Sequence, residues 1–302
     1  MRKSKLLAVA MSVMCAAALM TGCGSNGNAG SDAGSSSGGS ASQPISVVSR
    51  EDGSGTRGAF VELTGVEEKD ADGNKTDNTT ANAIISNSTE IMMTTVSGDE
   101  YAIGYSSTGS LNDTVKALNV DGVEPTAANI KDGKYSLSRP FNIATKGKAG
   151  KLAQDFIDYI MSEDGQKVVE DNGYITSVDN AKAFKTSGES GKLVVAGSSS
   201  VTPVMEKLAE AYKKVNTKAE IEIQESDSTT GMTAAADGTC DIGMASRELE
   251  DSEKDKGLES KAIALDGIAV IVNTQNERTD ISTDMVKKIF TGEVTDWNDV
   301  TE

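Results

Sequence analysis

The sequence contains no histidine among its 302 residues. This absence excludes the Ser-His-Asp and Cys-His arrangements of nucleophilic enzymes, the commonest general base and the usual ligand of zinc sites. Positive charge is also scarce, because 29 Lys and Arg stand against 46 Asp and Glu and give a formal net charge of −17. A chain this acidic is a poor partner for nucleic acid or an anionic membrane surface. The composition therefore predicts no enzyme activity, no metal site, no cofactor and no nucleic-acid partner.

Cysteine is rare as well, and two of the three cysteines lie near the N-terminus. A basic start and an apolar run at 6–20 predict a signal peptide over residues 1–22. Small residues precede Cys23 in a pattern that resembles a bacterial lipobox, although a chance cysteine near an ordinary cleavage site is the alternative. A lipid on Cys23 would anchor the protein to the extracytoplasmic face of the cell membrane. Only Cys240 would remain as a free thiol, which leaves no disulfide within the mature chain.

The rest of the chain divides into a tether and a folded part. Residues 23–43 are almost entirely small or polar, which predicts a flexible tether. From residue 45 onward, apolar strand patterns alternate with helical ones, and this alternation predicts an α/β fold with a mostly parallel sheet. We expect a helical segment at 79–86, separate strands at 263–265 and 268–272, and a polar linker at 176–192.

Residues 49–57, which read Ser-Arg-Glu-Asp-Gly-Ser-Gly-Thr-Arg, carry the clearest chemical signal. They follow a short apolar strand and lead into a helix, so that backbone N–H groups lie at the positive end of the helix dipole. Hydroxyls from Ser54 and Thr56 and guanidinium groups from Arg50 and Arg57 surround these donors. Asp52 can hold one of the arginines in a fixed orientation. This combination indicates a site for a small oxyanion.

Three later loops repeat the pattern of a strand, a hydroxyl-rich turn and a helix: 197–203, 228–231 and 245–247. A single turn of this kind is usually only a helix cap. Four in one chain favour a shared site, because ligands of open α/β sheets bind at the carboxyl ends of the strands.

The same segments, together with 101–105, 137–141, 290–293 and Trp297, resemble the phosphate-binding protein of bacterial ABC phosphate importers. The resemblance covers nearly everything from residue 45 onward. It implies a two-lobed, periplasmic-binding-protein-like fold (type II) with two crossover strands as its hinge. It also implies that the lobes clamp inorganic phosphate, perform no chemistry, and deliver the anion to the permease subunits of an ABC transporter.

The resemblance also implies which residues bind the anion, with Asp52 orienting Arg50. The implied phosphate ligands are Ser199, Ser200, Ser228, Thr229 and Ser246 from one wall, and Arg50, Ser54, Gly55 and Thr56 from the other.

The order of the two halves differs from the family's usual order. Members normally begin with the segment found here at 193 and reach the segment found here at 49–57 in mid-chain. We therefore expect a circular permutation, with one lobe from 44–137 plus 273–302, the other from 138–272, and residues 176–192 joining the usual termini. A rearranged gene and a fragment of a tandem protein are the alternatives.

A second difference concerns selectivity. Hydrogen phosphate carries a proton and sulfate does not, so a buried acceptor allows a site to reject sulfate. Family members place an aspartate after the serine equivalent to Ser246, but this chain has Arg247, which leaves Asp52 and Asp227 as alternative acceptors. Three other functions stay open: binding of sulfate or another tetrahedral oxyanion, hydrolysis of phosphate esters, and a surface lipoprotein or sensor with a degraded site.

Overall fold

The computed structural model describes residues 41–70 and 74–301. The expected signal peptide, Cys23 and most of the expected tether lie outside the described residues. No helix in the described part of the chain is long and apolar enough to cross a membrane.

The elements alternate as the sequence predicts. The first half contains β1 (Ser46–Arg50), α1 (Gly55–Thr64), β2 (Glu67–Lys69), β3 (Lys75–Asp77), β4 (Ile84–Ser86), α2 (Thr89–Ser97), β5 (Ala102–Ser107), β6 (Val115–Ala117), β7 (Asn119–Val120), α3 (Ala127–Lys131), β8 (Ser138–Lys146), α4 (Lys151–Ile160) and α5 (Glu163–Asp171). The second contains β9 (Ile175–Thr176), β10 (Gly191–Ser198), α6 (Thr202–Val215), β11 (Ala219–Ser226), α7 (Ser228–Asp237), β12 (Ile242–Ala245), α8 (Asp251–Lys254), β13 (Leu258–Asn273), β14 (Asp280–Ile281) and α9 (Thr283–Thr291).

The main sheet runs in the order β11-β10-β12-β8-β13-β5-β1-β4. Its two ends are parallel, since β10 pairs with β11 and β12, and β1 pairs with β4 and β5. Its centre is antiparallel, because β13 runs against both β5 and β8, and β8 runs against β12. The expected mostly parallel sheet is therefore wrong for the central strands, although the α/β class is correct.

The two largest hydrophobic cores among the described residues correspond to the two lobes. The first core contains Phe60, Met92 and Phe290, and the second contains Phe156, Leu208 and other residues from the segment between β8 and β13. Strands β8 and β13 cross between the lobes and pair along most of β8. They are the two crossover strands that the resemblance implies.

Strand β13 corrects two expectations. It is one continuous strand of 16 residues rather than two, with a bulge between Ala262 and Ala264. Its end from Ile268 to Val272 packs in the first core, whereas Ile263 packs in the second. The boundary expected at 272 therefore lies a few residues too late, because a crossover strand belongs to both lobes.

The expected helix at 79–86 is also wrong. Residues 84–86 form β4, in which Ile84 and Ile85 pair in parallel with Val48 and Ser49 of β1. Two adjacent β-branched residues favour a strand over a helix once a partner strand is available.

Residues 177–190, which we call the strap, contain no helix or strand but are firmly attached to the second lobe. The ring of Phe184 packs 5.1 Å from that of Tyr159. The buried carboxylate of Asp155 accepts hydrogen bonds from Thr186 Oγ1 at 2.9 Å and from the backbone N of Ser187 at 2.7 Å. The strap is therefore a packed segment rather than a free linker.

The two ends of the described chain meet on the first lobe. Ile45 N donates to Thr295 O and Trp297 N donates to Gln43 O, each at 2.9 Å. Pro44 and Asp296 form a β-bridge between these bonds.

Candidate functional site

Four helices begin where the two lobes face each other. In the first lobe, β1 ends at Arg50 and α1 begins at Gly55, while α2 begins at Thr89. In the second lobe, α6 follows the end of β10 at 198 and α7 begins at Ser228. The first N–H groups of a helix have no partner within the helix and carry its positive dipole end. The interface between the lobes therefore favours an anion.

Hydroxyl groups from both lobes meet in this interface. Thr56 Oγ1 of the first lobe lies 2.7 Å from Ser200 Oγ and 3.4 Å from Ser246 Oγ of the second. Ser198 Oγ donates to Ser246 Oγ at 3.0 Å, and the backbone N of Ser246 donates to Ser228 Oγ at 3.1 Å. None of these five residues is more than 3% exposed. We call the region lined by these residues, with Arg50, Thr89 and Ser199, the chamber.

Arg50 links the lobes through its guanidinium group. Its Nη2 donates to Ser199 Oγ of the second lobe at 3.0 Å, and its Nη1 donates to Thr89 Oγ1 at 3.2 Å. Glu51 holds the same group in a bidentate ion pair, with both N–O distances at 2.8 Å. The backbone N of Arg50 donates to the hydroxyl of Tyr105, whose pKa burial raises to about 12. Arg50 is only 2% exposed, so its orientation is fixed by these contacts.

Asp52 does not orient Arg50, contrary to the expectation. Its side chain is 98% exposed and accepts from Arg57 Nη1 at 2.9 Å. Arg57 also donates to the carbonyl of Arg50 and to Asp77, so it braces the loop and is not directed into the chamber. The chain turns directly after Asp52, where Gly53 has a φ of +85°. Glu51 holds Arg50 instead.

Thr89 is a chamber residue that lies outside all four loops singled out by the sequence analysis, and Ser198 lies in one of those loops but is not among the implied ligands. Thr89 Oγ1 lies 3.0 Å from Ser200 Oγ, and its backbone N donates to Ser199 Oγ at 3.3 Å. Ser88 caps the same helix by accepting from Ile91 N. This is again a strand, a hydroxyl-rich turn and a helix, but the wrongly expected helix at 79–86 concealed the pattern.

Gly55 lies between the lobes where no side chain fits. A Cβ at this position would lie 2.4 Å from Ser228 Oγ and 2.8 Å from Ser246 Oγ. Its neighbour Ser54 caps α1 by accepting from Arg57 N and is 6% exposed.

Three further expected residues lie outside the hydroxyl network. Thr229 is exposed and donates its backbone N to Gly53 O across the lobes at 3.2 Å. Asp227 caps α7 by accepting from the backbone N of Thr230. Arg247 forms a bidentate ion pair with Glu253, at 2.8 and 2.9 Å. Neither alternative acceptor for a phosphate proton is therefore part of the chamber network.

The chamber offers hydrogen-bond donors to a ligand. Within residues 41–70 and 74–301, no group of His, Cys, Asp or Glu is arranged to hold a metal ion. Cys240 is buried, and burial raises the pKa of its thiol to about 11, so the thiol stays protonated at neutral pH. The arrangement of these donors suits the binding of a small oxyanion.

Comparison with known proteins gives consistent matches. The family model of the PBP superfamily domain matches residues 28–164 and 183–302. A protein of Streptococcus agalactiae named phosphate-binding protein PstS 2 is 55% identical over 304 residues, covering 100% of both chains. A PstS 2 of Streptococcus pneumoniae is 49% identical over 86% of this chain and 89% of its own length. The crystal structure of a phosphate-binding protein of a phosphate ABC transporter from Streptococcus pneumoniae has 48% identity and a TM-score of 0.68, covering 85% of this chain and 100% of that one.

Proposed function

We propose that this chain, which belongs to the PstS family of phosphate-binding proteins, captures inorganic phosphate between its lobes and delivers it to an ABC importer. The observation that carries the proposal is the chamber, in which Arg50, hydroxyls from both lobes and four helix N-termini converge. The protein acts as a binding component and not as an enzyme. Its working location is outside the cytoplasm, as for binding proteins of this family.

Phosphate would bind through the groups that now bond to one another across the lobes. Arg50 supplies a charge-assisted donor, which is roughly twice as strong as a neutral one. Thr56, Thr89, Ser199, Ser200, Ser228 and Ser246 supply hydroxyls, and the starts of α1, α2, α6 and α7 supply backbone N–H groups. Because screening weakens charges beyond about 8–10 Å, the net charge of −17 does not prevent this binding.

Sulfate is a second candidate, and the chamber's own groups support it. The carboxylate of Glu51, which contacts the chamber residue Arg50, is held by the guanidinium group in an ion pair. A hydroxyl can turn to donate or accept, so it serves a protonated phosphate and an unprotonated sulfate alike. Selectivity for phosphate would therefore be weaker here than in a site with a dedicated carboxylate acceptor.

We also propose that Cys23 carries a lipid that anchors the protein to the membrane.

We further propose that the chain is circularly permuted. The permutation is supported by the contacts of Gln43 and Pro44 with residues 295–297, and by the strap across the second lobe. The end-to-end match with the Streptococcus agalactiae protein supports an inherited order rather than a rearrangement in this chain alone.

Isothermal titration calorimetry tests the main proposal. The native protein should bind phosphate at a ratio of 1:1, and Arg50→Ala should abolish the heat or weaken binding at least a hundredfold. The control is Lys218→Ala, which also removes one positive charge but directly precedes β11, about 26 Å along the strand from its chamber end. Unchanged phosphate binding by Arg50→Ala would show that the chamber is not the site, and the same titration with sulfate measures selectivity.

A further inference from the structure

The two lobes also meet outside the chamber, at the start of α7. The carbonyl oxygen of Gly53, in the first lobe, accepts hydrogen bonds from the backbone N of Thr229 at 3.2 Å and from Thr229 Oγ1 at 3.3 Å. A Cβ on Gly53 would lie only 2.6 Å from Asp227 Oδ1, so the two surfaces are in direct contact. Because Gly53 and Thr229 belong to different lobes, these hydrogen bonds form only when the lobes are closed.

Arg247 supports Thr229 from within the second lobe. Its Nη2 donates to Thr229 Oγ1 at 3.0 Å. The hydroxyl therefore accepts from the guanidinium group and gives its own proton to the carbonyl of Gly53. In such a chain each hydrogen bond polarises the next, so that the contact between the lobes is strengthened by a residue that lies behind it.

Arg247 is held in a fixed orientation by its own lobe. Glu253 binds its guanidinium group in the bidentate ion pair described above, and the side chains of Arg247 and Glu253 are only 11% and 7% exposed. Glu253 is fixed in turn, because its Oε2 accepts from the backbone N of Glu250 at 2.9 Å and closes the capping box of α8. Charge-assisted bidentate pairs impose a defined geometry. The second lobe therefore assembles its side of the contact without help from the first.

The facing surface of the first lobe is also rigid. Arg57 braces the loop that carries Gly53, since its Nη1 donates to the carbonyl of Arg50 at 3.0 Å. The aliphatic part of Arg247 lies over the start of α1, where a Cβ on Gly55 would be 3.1 Å from its Cγ. Two surfaces that are ordered beforehand lose little conformational entropy when they meet, so their contacts favour the closed state.

We propose that Thr229 and Arg247 form a latch that holds the lobes closed and slows the release of phosphate without touching the anion. They are positioning residues, because they act through the carbonyl of Gly53 and the loop that carries Arg50. Since the latch forms only after the anion has entered, it lowers the dissociation rate and leaves the association rate nearly unchanged. This inference rests on the proposed function.

Phosphorus NMR exchange spectroscopy of the full chain with excess inorganic phosphate measures the release rate. Thr229→Val should raise this rate about fivefold, the effect of losing about one net hydrogen bond. Thr229→Ser keeps the hydroxyl and should release phosphate like the native protein. The matched control is Thr230→Val, because Thr230 is also exposed but its hydroxyl donates to Asp227 of the same lobe. Calorimetry on the same variants gives the affinity, and the two measurements together give the association rate.

A second variant tests the role of Arg247. Arg247→Lys keeps a positive charge beside Glu253 but lacks the planar fork that reaches Glu253 and Thr229 together. It should raise the release rate about as much as Thr229→Val does. The variant with both changes should release phosphate no faster than the faster single variant, because the two residues act through one contact. Effects that multiply in the double variant would show that the residues act independently and would contradict the latch.

The remaining outcomes are distinguishable. Native release rates in both Thr229→Val and Arg247→Lys would overturn the latch and leave the proposed function intact, whereas failure of the native protein to bind phosphate would overturn the proposed function. The chemical shift of bound phosphate should be the same in Thr229→Val as in the native protein. A shifted resonance would show that Thr229 contacts the anion directly and would overturn the proposal. Faster release by Thr230→Val would attribute the effect to a loosened α7 and would overturn it as well.

Discussion

The close approach of Gly55 to two serines shows how single atoms control closure. The Cα of this glycine belongs to the first lobe, and both hydroxyls that a Cβ would strike belong to the second. The contact exists only between closed lobes. Space at Gly55 is therefore a requirement for binding rather than for folding of either lobe.

We predict that Gly55→Ala weakens phosphate binding at least tenfold, which corresponds to about 1.4 kcal/mol. It should leave the free energy of unfolding of the phosphate-free protein nearly unchanged, because the lobes can stay apart. The matched control is Gly58→Ala in the same helix, where the nearest atom to the new Cβ lies 3.9 Å away. The control should bind like the native protein and unfold with about 0.5–1 kcal/mol more free energy. Calorimetry and urea denaturation measure both quantities, and native-like affinity of Gly55→Ala would contradict the clash.

At the scale of single residues, the sequence indicates which residues form the site better than it indicates where their side chains point. The hydroxyl residues and Arg50 are recognisable because a strand, a polar turn and a helix start recur with them. The partner of Arg50 is not recognisable in this way, because Glu51 and Asp52 are both acidic and both lie within two residues of it. Only the structure shows that Glu51 contacts the guanidinium group and that Asp52 faces solvent.

At the scale of elements, the strap behaves as a structural part of the second lobe. Its attachment depends on the buried Asp155, which also accepts from the hydroxyl of Tyr212 at 2.6 Å. Burial raises the pKa of Asp155, but hydrogen bonds from Ser187, Tyr212 and Thr186 together lower it by more. The pKa therefore lies below the ordinary value of 3.8. The ionised carboxylate is therefore the form that stabilises the strap.

We predict that Asp155→Asn lowers the free energy of unfolding by about 2 kcal/mol at pH 7, the size of a hydrogen-bond network to a charged group. A depressed pKa in the folded state contributes stability above the unfolded value and loses it as the pH falls through the folded value. The difference between native and variant should therefore shrink below about pH 4. Urea denaturation at pH 7, 4 and 3 measures this, with Asp158→Asn on the exposed face of the same helix as control. A difference that stays constant with pH would show that the charge of Asp155 is not responsible.

The elements that the sequence predicts correctly are those with local signals. The sequence pattern predicts helices at 151–162, 204–214 and 284–290, and α4, α6 and α9 match these bounds within a few residues. Strand β4 is missed because it is short and depends on pairing with β1. Strand β13 is read as two because its pattern changes where it leaves one core and enters the other.

At the scale of the whole molecule, we expect the same fold to form whichever half of the sequence comes first. The described ends hydrogen-bond to each other, and the strap spans one lobe without a helix or strand. New ends in exposed segments are generally tolerated when the backbone there carries little structure.

We predict that a reordered chain folds and binds phosphate. It begins at Gly191, joins residue 301 to Gln43 through a short Gly/Ser link, and ends at Ser190, which keeps the strap attached. Both residues at the new break are exposed. Its circular dichroism should match that of the native chain, and its phosphate affinity should agree within about threefold. A soluble, folded product that does not bind phosphate would contradict the idea that the lobes face each other independently of chain order.

The central claim is that phosphate is held in the chamber between the lobes. A crystal structure of the protein with phosphate tests it most directly. We expect the anion within about 3 Å of Arg50, Thr56, Thr89 and the hydroxyls of Ser199, Ser200 and Ser246, with the lobes closed around it. Phosphate bound elsewhere, or no bound phosphate between the lobes at a saturating concentration, would contradict the account.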